Sequence, residues 1–556
     1  MRKPVGKIPN PDQLLTPKGQ RGVFLLLFLL VQLLYWPSAR AGFVTDYTGL
    51  LERLDGAPFS DFLNSFGFPA LHPVTNFFLY WFHQCFGVQG LGWHLVHTTL
   101  HALNAWMVFR LTAKMMGQWK LRNGILAALI TALLFLAHPY NVEPVVWRVC
   151  FNHLFTTLLI LGGLWYALPF FEEKKTALLW RTHGLFAIAL LTFETALVLP
   201  MLLVIFAMMW PERPPLSGHR DRFRQWLLLL APQLALLACW AALNRYLFGS
   251  VVGHYGPEVH LRFYPPEMAA TLTKYFLKYL LFWRHWPHGW KEALMQWLDQ
   301  PAAGWALFLA GLALLTLLLF SLRKIPTRLR LPLAALLAFF AVLLPVSNLY
   351  VSWLLYGEND RYGYLASFFF SLALVASLAQ WRWRLWQKVL LLATILSFFA
   401  AWQQVQLWKH NAAVQQKVLH SWKWAQAPEV YVLAYPENYR GTPMFRDFSG
   451  KDEALVMSLR YLAGINQTGR IYEVAQFNLA TPEDGVTVER KAGNVFKVRF
   501  RQWGNWWWRR GIGTWNYETP QYRFTVDGNG SIVELLKPAP GAVVVWWDGE
   551  AWQALE

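Results

Sequence analysis

Several ionisable or polar residues stand at the ends of long apolar segments, where a bilayer makes them energetically costly. Such residues near membrane depth usually have a function or a paired partner. The distribution of Lys and Arg between the apolar segments places all of them on the outer side. They are Asp46, His72, His138, Glu143, Glu194, Asp360 and Arg361. A satisfied helix-end pair would explain any one of them, but their convergence on one leaflet predicts a site.

Three histidines, His94, His97 and His101, share one face of an apolar segment at i, i+3, i+7 spacing. Aligned imidazoles suggest two hypotheses, a metal site and hydrogen bonding between helices. A helical face of histidines is more often used for hydrogen bonding, so we predict no metal and no cofactor.

The composition favours an integral membrane protein. Hydrophobic residues make up 55% of the 556 residues and charged residues only 15%, whereas soluble proteins carry about 25% charged residues. Uncharged apolar runs recur roughly ten times before residue 406, which is typical of bilayer-spanning helices of about 20 residues. We therefore predict an all-α polytopic membrane domain.

The positive charge is concentrated between the apolar segments, which argues against nucleic-acid binding. Residues 427–556 contain 14 basic and 15 acidic residues, leaving 36 basic and 17 acidic residues in the rest of the chain. Basic residues between hydrophobic helices are the signature of cytoplasmic loops. No basic patch stands apart from these loops, so we expect no nucleic-acid partner.

Eleven spanning helices with a cytoplasmic N-terminus fit this charge asymmetry. An odd number of spans places the C-terminus on the extracytoplasmic side. The fit requires that 268–283 does not span, and Lys274 and Lys278 within it favour a helix lying on the membrane surface. The predicted spans are 22–37, 92–113, 123–137, 148–171, 176–192, 194–210, 225–247, 303–321, 331–348, 363–380 and 386–405.

The first apolar segment has two interpretations. Ala39-Arg40-Ala41 resembles a signal-peptidase site, which would make the preceding segment a cleaved signal peptide. We favour an uncleaved first helix, which keeps Asp46 tethered to the membrane domain.

From about residue 429 the pattern changes to short alternating runs broken by Asp-Gly and Asn-Gly turns, which predict a small α+β or β-rich soluble domain. None of the three cysteines lies in this region, so no disulfide framework is available to it. Trp506-Trp507-Trp508-Arg509-Arg510 suits a bilayer-facing surface or a core strand better than a glycan site. The predicted domains are a cytoplasmic segment 1–21, a membrane domain 22–405, a connector 406–426 and an extracytoplasmic domain 427–556.

Five stretches resemble bacterial membrane proteins related to the animal transmembrane O-mannosyltransferases with tetratricopeptide tails. Residues 138–147 (HPYNVEPVVW) resemble H-P-x-x-V-E-x-V-x-W, and 359–365 (NDRYGYL) resemble D-R-Y-x-Y-L. Residues 344–349 (LPVSNL) are similar to P-x-S-N-L, and 42–46 (GFVTD) to the F-V-x-D that follows the first helix. Residues 86–105 match F-G…H-L…L-H-x-L-N. The resemblance covers about residues 20–405, and no tetratricopeptide repeats follow.

This resemblance implies a C-type (GT-C) glycosyltransferase fold, whose members transfer sugar from a polyprenyl phosphate to an acceptor on the outer face. By position Asp46 inherits the role of catalytic base, taking the proton of the acceptor hydroxyl. Arg361 is the candidate for binding the donor phosphate, because a guanidinium forks onto phosphate oxygens. Asp360 would orient Arg361 or neutralise it. His72, Glu143, Glu194, Asp360 and Tyr362 are predicted to support the site.

Three departures from the relatives concern charge. A single Asp46-Tyr47 stands where relatives often have two or three acids. Phe151-Asn152-His153 replaces R-K-D, and Thr192-Phe193-Glu194 replaces a Ser-Lys stretch. Two basic groups that could hold the donor phosphate are thus missing. Either His138 or His153 substitutes, or donor handling differs, or activity is lost.

The predicted function is sugar transfer from a polyprenyl-phosphate donor to a hydroxyl of a protein or glycan acceptor, in the bacterial inner (plasma) membrane. The expected partners are the lipid bilayer, the polyprenyl-phosphate sugar and the acceptor. The alternatives are a catalytically impaired scaffold of the same fold, and a polysaccharide polymerase, ligase or transporter. A transporter should show repeated, interrupted helices in corresponding halves, and the sequence shows none.

Overall fold

The structure is a computed structural model. It describes residues 16–39, 41, 43–44, 50–51, 54, 59–60, 71–121, 123–173, 175–211, 219–249, 251, 263–282, 286–322, 324–347, 360–380, 383–445, 454–479, 481, 484–501, 506–508, 511–512 and 516–555.

Helices occupy all eleven segments that the sequence predicted to span. Short 3₁₀ turns precede several of them, at Pro139–Asn141, Arg148–Cys150, Glu194–Val198 and Asp360–Gly363. The α-helices are α1 Pro17–Tyr35, α2 Pro73–Phe86, α3 Gly90–Gln118, α4 Gly124–Leu136, α5 Val142–Val146, α6 Phe151–Glu173, α7 Leu179–Leu190, α8 Leu199–Met209, α9 His219–Phe248, α10 Pro265–Leu281, α11 His288–Leu298, α12 Pro301–Ser321, α13 Thr327–Ser347, α14 Tyr364–Leu378, α15 Trp383–His420 and α16 Ala454–Ala463.

Among the described residues, seven helical segments are long and apolar enough to cross a membrane. Counting the bent pair Gly124–Leu136 and Pro139–Val146 as one span makes eight. The seven are Pro17–Ser38, Arg148–Glu172, Phe223–Phe248, Pro301–Ser321, Thr327–Ser347, Asp360–Leu378 and Arg384–His420. Helices α7 and α8 have 12 and 11 residues. At about 1.5 Å per residue, each is shorter than the hydrocarbon core of about 30 Å.

The outer surface of these helices is apolar. Only 6% of the most apolar window of α12 is buried, and its Leu314, Leu317 and Phe320 are 64–85% exposed. Contiguous exposed apolar surface of this extent suits lipid and would aggregate in water. The chain is a multi-pass membrane protein.

Helix α10 packs into the molecule, which corrects one expectation. Its two lysines were expected to face the membrane surface, but Lys274 and Lys278 are both buried. Lys274 pairs with Asp299 and Lys278 pairs with Asp360. The lysines lie four residues apart, on one face of α10, and α10 packs against α12 and α13. A buried ammonium group needs a charged partner, and the two aspartates supply it.

The C-terminal part is β-rich, as predicted, and contains two sheets. The first has the order β13-β12-β1-β4-β7-β8, with β2 and β3 also paired to β1; the second has the order β5-β6-β11-β10-β9. Strand β1 runs parallel to β3, β4 and β12. The strands are β1 Glu429–Tyr439, β2 Thr442–Pro443, β3 Arg470–Glu473, β4 Gln476–Leu479, β5 Val486–Ala492, β6 Val495–Phe500, β7 Trp506–Trp508, β8 Gly511–Ile512, β9 Tyr517–Glu518, β10 Tyr522–Asp527, β11 Gly530–Leu535, β12 Val543–Trp547 and β13 Trp552–Leu555.

Candidate active site

The two most specific sequence stretches meet through an ion pair between Arg361 and Glu143. Arg361 lies in the 3₁₀ turn that precedes α14, and Glu143 lies in the short helix α5. The Arg361 Nη1 donates to Glu143 Oε1 at 2.7 Å, and the Arg361 backbone N–H donates to Oε2 at 2.9 Å. The side chains are 12% and 5% exposed. Glu143 therefore fixes both the backbone and the head group of Arg361.

Two aromatic rings also hold the Arg361 guanidinium. Its central carbon lies 4.7 Å from the centre of the Trp147 ring and 4.8 Å from that of Tyr362. A cation over an aromatic face is stabilised by the ring quadrupole, more strongly where water is excluded. Trp147 lies four residues after Glu143, so one short segment supplies both the carboxylate and a ring. Glu143, Trp147 and Tyr362 together fix the position of the guanidinium.

Asp360 pairs with a different cation from the one that the sequence suggested. It was expected to orient or neutralise Arg361, but Glu143 holds that guanidinium and Asp360 pairs with Lys278 of α10. The Lys278 Nζ also lies 4.7 Å from the centre of the Tyr140 ring. Lys278 therefore lies beside the candidate site, and the sequence analysis did not include it among the site candidates. The sequence did show a lysine within an apolar helix, but we interpreted that helix as lying on the membrane surface.

His138 lies in an aromatic cluster beside this ion pair. Its Nδ1 accepts the Tyr140 backbone N–H at 3.3 Å, which caps the following 3₁₀ turn. Its ring stacks on Tyr279 at 4.8 Å and on Phe282 at 5.8 Å between centroids. The residue is 4% exposed. A role for His138 in binding the donor phosphate stays a prediction.

Gly363 is required by the close approach of Tyr279 to the same turn. The Tyr279 hydroxyl donates to the Gly363 carbonyl oxygen at 2.7 Å. A Cβ at residue 363 would lie 2.1 Å from that hydroxyl oxygen, so only glycine allows this hydrogen bond without displacement.

His72 and Glu194 form a second polar pair. The His72 Nε2 lies 2.9 Å from Glu194 Oε2, and both side chains are 11% exposed. The His153 ring contacts Phe193 at 4.5 Å and Tyr362 at 5.7 Å between centroids. Through Tyr362, His153 connects this pair to the Arg361 cluster. The structure thus brings Glu143, Glu194, Arg361 and Tyr362 into one neighbourhood.

The α3 histidines are fully buried. His101 makes interhelical hydrogen bonds, through Nδ1 to the Tyr364 hydroxyl at 2.6 Å and through Nε2 to the Leu136 carbonyl oxygen at 3.0 Å. Within the described part of the chain, no group of three or more His, Cys, Asp or Glu residues could hold a metal ion.

Arg148 is a second residue whose role the sequence did not reveal. It stands at the start of a predicted span, and it is only 2% exposed. Its Nη2 donates to the Ser38 carbonyl oxygen at 2.9 Å, and its Nη1 donates to that of Val145 at 3.4 Å. Arg148 therefore ties the end of the first helical segment to the segment that carries Glu143.

The predicted base Asp46 lies outside the described residues. Its nearest described neighbours in the chain are Val44 and Leu50, which are 4% and 5% exposed.

No family model and no curated protein matches the chain. The chain is similar to two crystal structures of ArnT from Cupriavidus metallidurans. For the apo state, the TM-score is 0.38 at 14% identity, over 80% of this chain and 85% of that chain. For the state bound to undecaprenyl phosphate, the TM-score is 0.34 at 13% identity, over 86% of this chain and 97% of that chain.

Proposed function

We propose that the chain is a membrane glycosyltransferase that moves a sugar from a polyprenyl-phosphate donor to an acceptor hydroxyl on the extracytoplasmic face. The observation that carries the proposal is the preorganised guanidinium of Arg361, held by Glu143, Trp147 and Tyr362. A lipid phosphate that leaves during sugar transfer needs a fixed cation beside it, because fixed charges stabilise developing charge without reorganisation.

The reaction requires one bond to form and one to break. The acceptor oxygen bonds to the anomeric carbon while the bond from that carbon to the phosphate oxygen breaks. The acceptor proton goes to the carboxylate of Asp46, and the bonding electrons leave with the polyprenyl phosphate. Arg361 stabilises the leaving phosphate. Proton acceptance and phosphate stabilisation are thus assigned to separate residues.

The assignment of two separate roles is tested by Asp46→Asn and Arg361→Lys with a radiolabelled polyprenyl-phosphate sugar. Asp46→Asn should reduce transfer by about 10²–10⁴-fold, the usual effect of losing a general base, with donor binding unchanged. Arg361→Lys keeps the charge but loses the planar fork, so it should weaken both donor binding and transfer.

Matched controls are Asp527→Asn at the end of β10 and Arg328→Lys at an exposed position in the first turn of α13. Both should transfer sugar at the wild-type rate. Undiminished transfer by Asp46→Asn would remove the catalytic assignment.

A scaffold without activity is the second candidate, and the Glu143 contact itself favours it. A carboxylate 2.7 Å from the guanidinium already neutralises its charge, and the chain lacks two basic groups found in relatives. Wild-type protein that binds none of a panel of polyprenyl-phosphate sugars would support the scaffold and overturn the enzyme.

A further inference from the structure

Three basic residues, here called the basic cluster, surround two adjacent aromatic rings of α6. Arg110 and Lys114 stand one turn apart in the C-terminal half of α3, and Arg181 stands in the first turn of α7. Helix α6 packs against both α3 and α7. The basic cluster therefore joins three neighbouring helices of the membrane part.

On the α3 side, two indole rings hold the Arg110 guanidinium. Its central carbon lies 4.1 Å from the centre of the Trp165 ring and 4.7 Å from that of Trp106. The Lys114 Nζ lies 5.3 Å from the centre of the same Trp165 ring. A cation over an aromatic face is attracted by the ring quadrupole. These contacts fix the guanidinium without neutralising its charge.

On the α7 side, Arg181 contacts the ring that follows Trp165 in the chain. Its central guanidinium carbon lies 5.2 Å from the centre of the Tyr166 ring and 5.5 Å from that of Trp180. Tyr166 is also close enough to Arg110 to interact with it electrostatically. Tyr166 thus lies within the influence of basic residues from both neighbouring helices.

The basic cluster lies far from the candidate active site. His153, whose ring contacts Tyr362, stands at the N-terminal end of α6. Trp165 comes twelve residues later, which is about 18 Å along a helix. The spanning segment Arg148–Glu172 ends seven residues beyond Trp165, about 10 Å further. Long basic side chains at such a depth reach the membrane–water interface with their charged ends.

The described chain does not balance the charge of the basic cluster. Glu172 pairs with Lys114 at 3.3 Å. Among the described residues, no carboxylate forms an ion pair with Arg110 or Arg181, and the Arg110 Nε is buried without a hydrogen-bond acceptor. A charged side chain within a membrane span is costly and is usually paired. An anion from outside the chain would complete this pairing.

We propose that the basic cluster binds the phosphate head group of an anionic glycerophospholipid, in the leaflet opposite the candidate active site. Arg110 presents a planar fork that fits two phosphate oxygens, and Lys114 and Arg181 add positive charge beside it. Trp180 and Ile188 of α7 are 67% and 43% exposed, so apolar surface for acyl chains adjoins the cations. The positive-inside rule predicts that this leaflet is the cytoplasmic one.

The test uses the full-length protein, delipidated in detergent, and measures lipid binding by native mass spectrometry. The probes are dioleoyl phosphatidylglycerol, dioleoyl phosphatidylcholine and inorganic phosphate. Wild-type protein should bind phosphatidylglycerol most tightly, because phosphatidylcholine carries a choline cation and inorganic phosphate has no acyl chains. Arg110→Gln should weaken phosphatidylglycerol binding by about 10-fold, the usual effect of losing a hydrogen bond to a charged group. Arg181→Gln, at an exposed position that folding should tolerate, should weaken it by about 5-fold.

Arg328→Gln is the matched control, because Arg328 is exposed in the first turn of α13 and is predicted to lie on the same side of the membrane. It removes the same charge and should leave phosphatidylglycerol binding unchanged. An equal loss in Arg328→Gln would indicate diffuse attraction and overturn the proposal, as would unaltered binding in Arg110→Gln and Arg181→Gln. Equally tight binding of inorganic phosphate would overturn the lipid assignment. The measurement involves no sugar transfer, so its outcome is independent of the proposed function.

Discussion

Glu143 holds Arg361 across 218 positions of sequence, and this pair has a measurable consequence. Removing one partner of a buried ion pair leaves an uncompensated charge, which costs about 3–5 kcal/mol when burial is complete. We expect Glu143→Gln to lower the melting temperature, since a neutral amide cannot balance the guanidinium. A bound phosphate would restore the negative charge. Polyprenyl phosphate should therefore stabilise Glu143→Gln more than it stabilises the wild type.

Thermal unfolding in detergent with and without polyprenyl phosphate measures both effects. Glu172→Gln is the control, because Glu172, near the C-terminal end of α6, pairs with Lys114 at 3.3 Å. An equal phosphate-induced shift in all three proteins would contradict a phosphate role for Arg361.

The Lys278–Asp360 pair allows a second test at this scale, because both side chains are almost completely buried, at 2% and 3% exposed. Lys278→Met should destabilise the protein by about 3–5 kcal/mol, and the double variant Lys278→Met/Asp360→Leu should recover most of that loss. Lys274→Met is the control. Its partner Asp299 is 38% exposed and can be hydrated, so the cost should be smaller. Calorimetry measures the stabilities, and a double variant less stable than Lys278→Met would contradict the assigned ion pair.

The sequence identified Arg361, Glu143, Asp360 and Glu194 as site candidates but did not show the ion pairs that Glu143 and Asp360 form in the structure. The local sequence shows that an ionisable residue lies in an apolar segment, where its charge is costly. The local sequence does not show which distant residue neutralises that charge. Asp360 was paired with its neighbour Arg361 because adjacency is all that a sequence displays. Lys278, with which Asp360 forms an ion pair in the structure, is 82 positions away.

At the scale of elements, helix positions were predictable and helix lengths were less so. The last span was predicted to end at residue 405, but α15 continues to His420. Residues 406–420 contain Gln, Lys, His and Asn, which end an apolar run, although Gln and Lys are good helix formers. Hydropathy therefore marks where the apolar surface ends, and tertiary contacts such as Gln415 with Met444 support the rest of the helix.

The turn between β12 and β13 depends on Asp548. Its Oδ1 accepts the N–H groups of Glu550 and Ala551, both at 2.8 Å. Burial alone would raise the pKa of this carboxyl, but these N–H groups, Gln553 and Arg501 outweigh it, so the pKa lies below its usual value. Because the pKa of Asp548 is lower in the folded protein, its ionised carboxylate stabilises the fold. This contribution is complete above the unfolded pKa of about 3.9 and is lost as the pH falls through the folded pKa.

Asp548→Ala should therefore destabilise the hairpin by about 1–3 kcal/mol near pH 7, and the difference from wild type should shrink below about pH 4. Hydrogen exchange in peptides covering 543–555, followed as a function of pH, measures the local stability of this hairpin. Asp527→Ala removes an exposed ion pair with Lys497 and should have little effect. A difference that grew on acidification would contradict the assigned role of Asp548.

The whole molecule combines an apolar helical part with a nearly neutral β-rich part. The side of the membrane on which the β-rich part lies can be inferred from two observations. Tyr461 and Leu462 of α16 pack against a hydrophobic cluster that includes Phe43 and Leu50, so the C-terminal part and these residues after the first helix lie on the same side of the membrane. The charge distribution independently predicts the outer side for both. These two lines of reasoning agree, and the orientation itself stays a prediction that labelling can test.

Cysteine labelling tests the orientation at two exposed positions, Lys491 on β5 and Arg328 in the first turn of α13. The native Cys85, Cys150 and Cys239 are first replaced, since Cys85 and Cys239 are exposed. A membrane-impermeant maleimide added to intact cells should label Lys491→Cys and should label Arg328→Cys only after permeabilisation. Lys324, Arg328 and Arg330 cluster at the start of α13, and the positive-inside rule predicts that such a basic cluster faces the cytoplasm. Labelling of Arg328→Cys in intact cells would invert the orientation, and Asp46 and Arg361 would then face the cytoplasm.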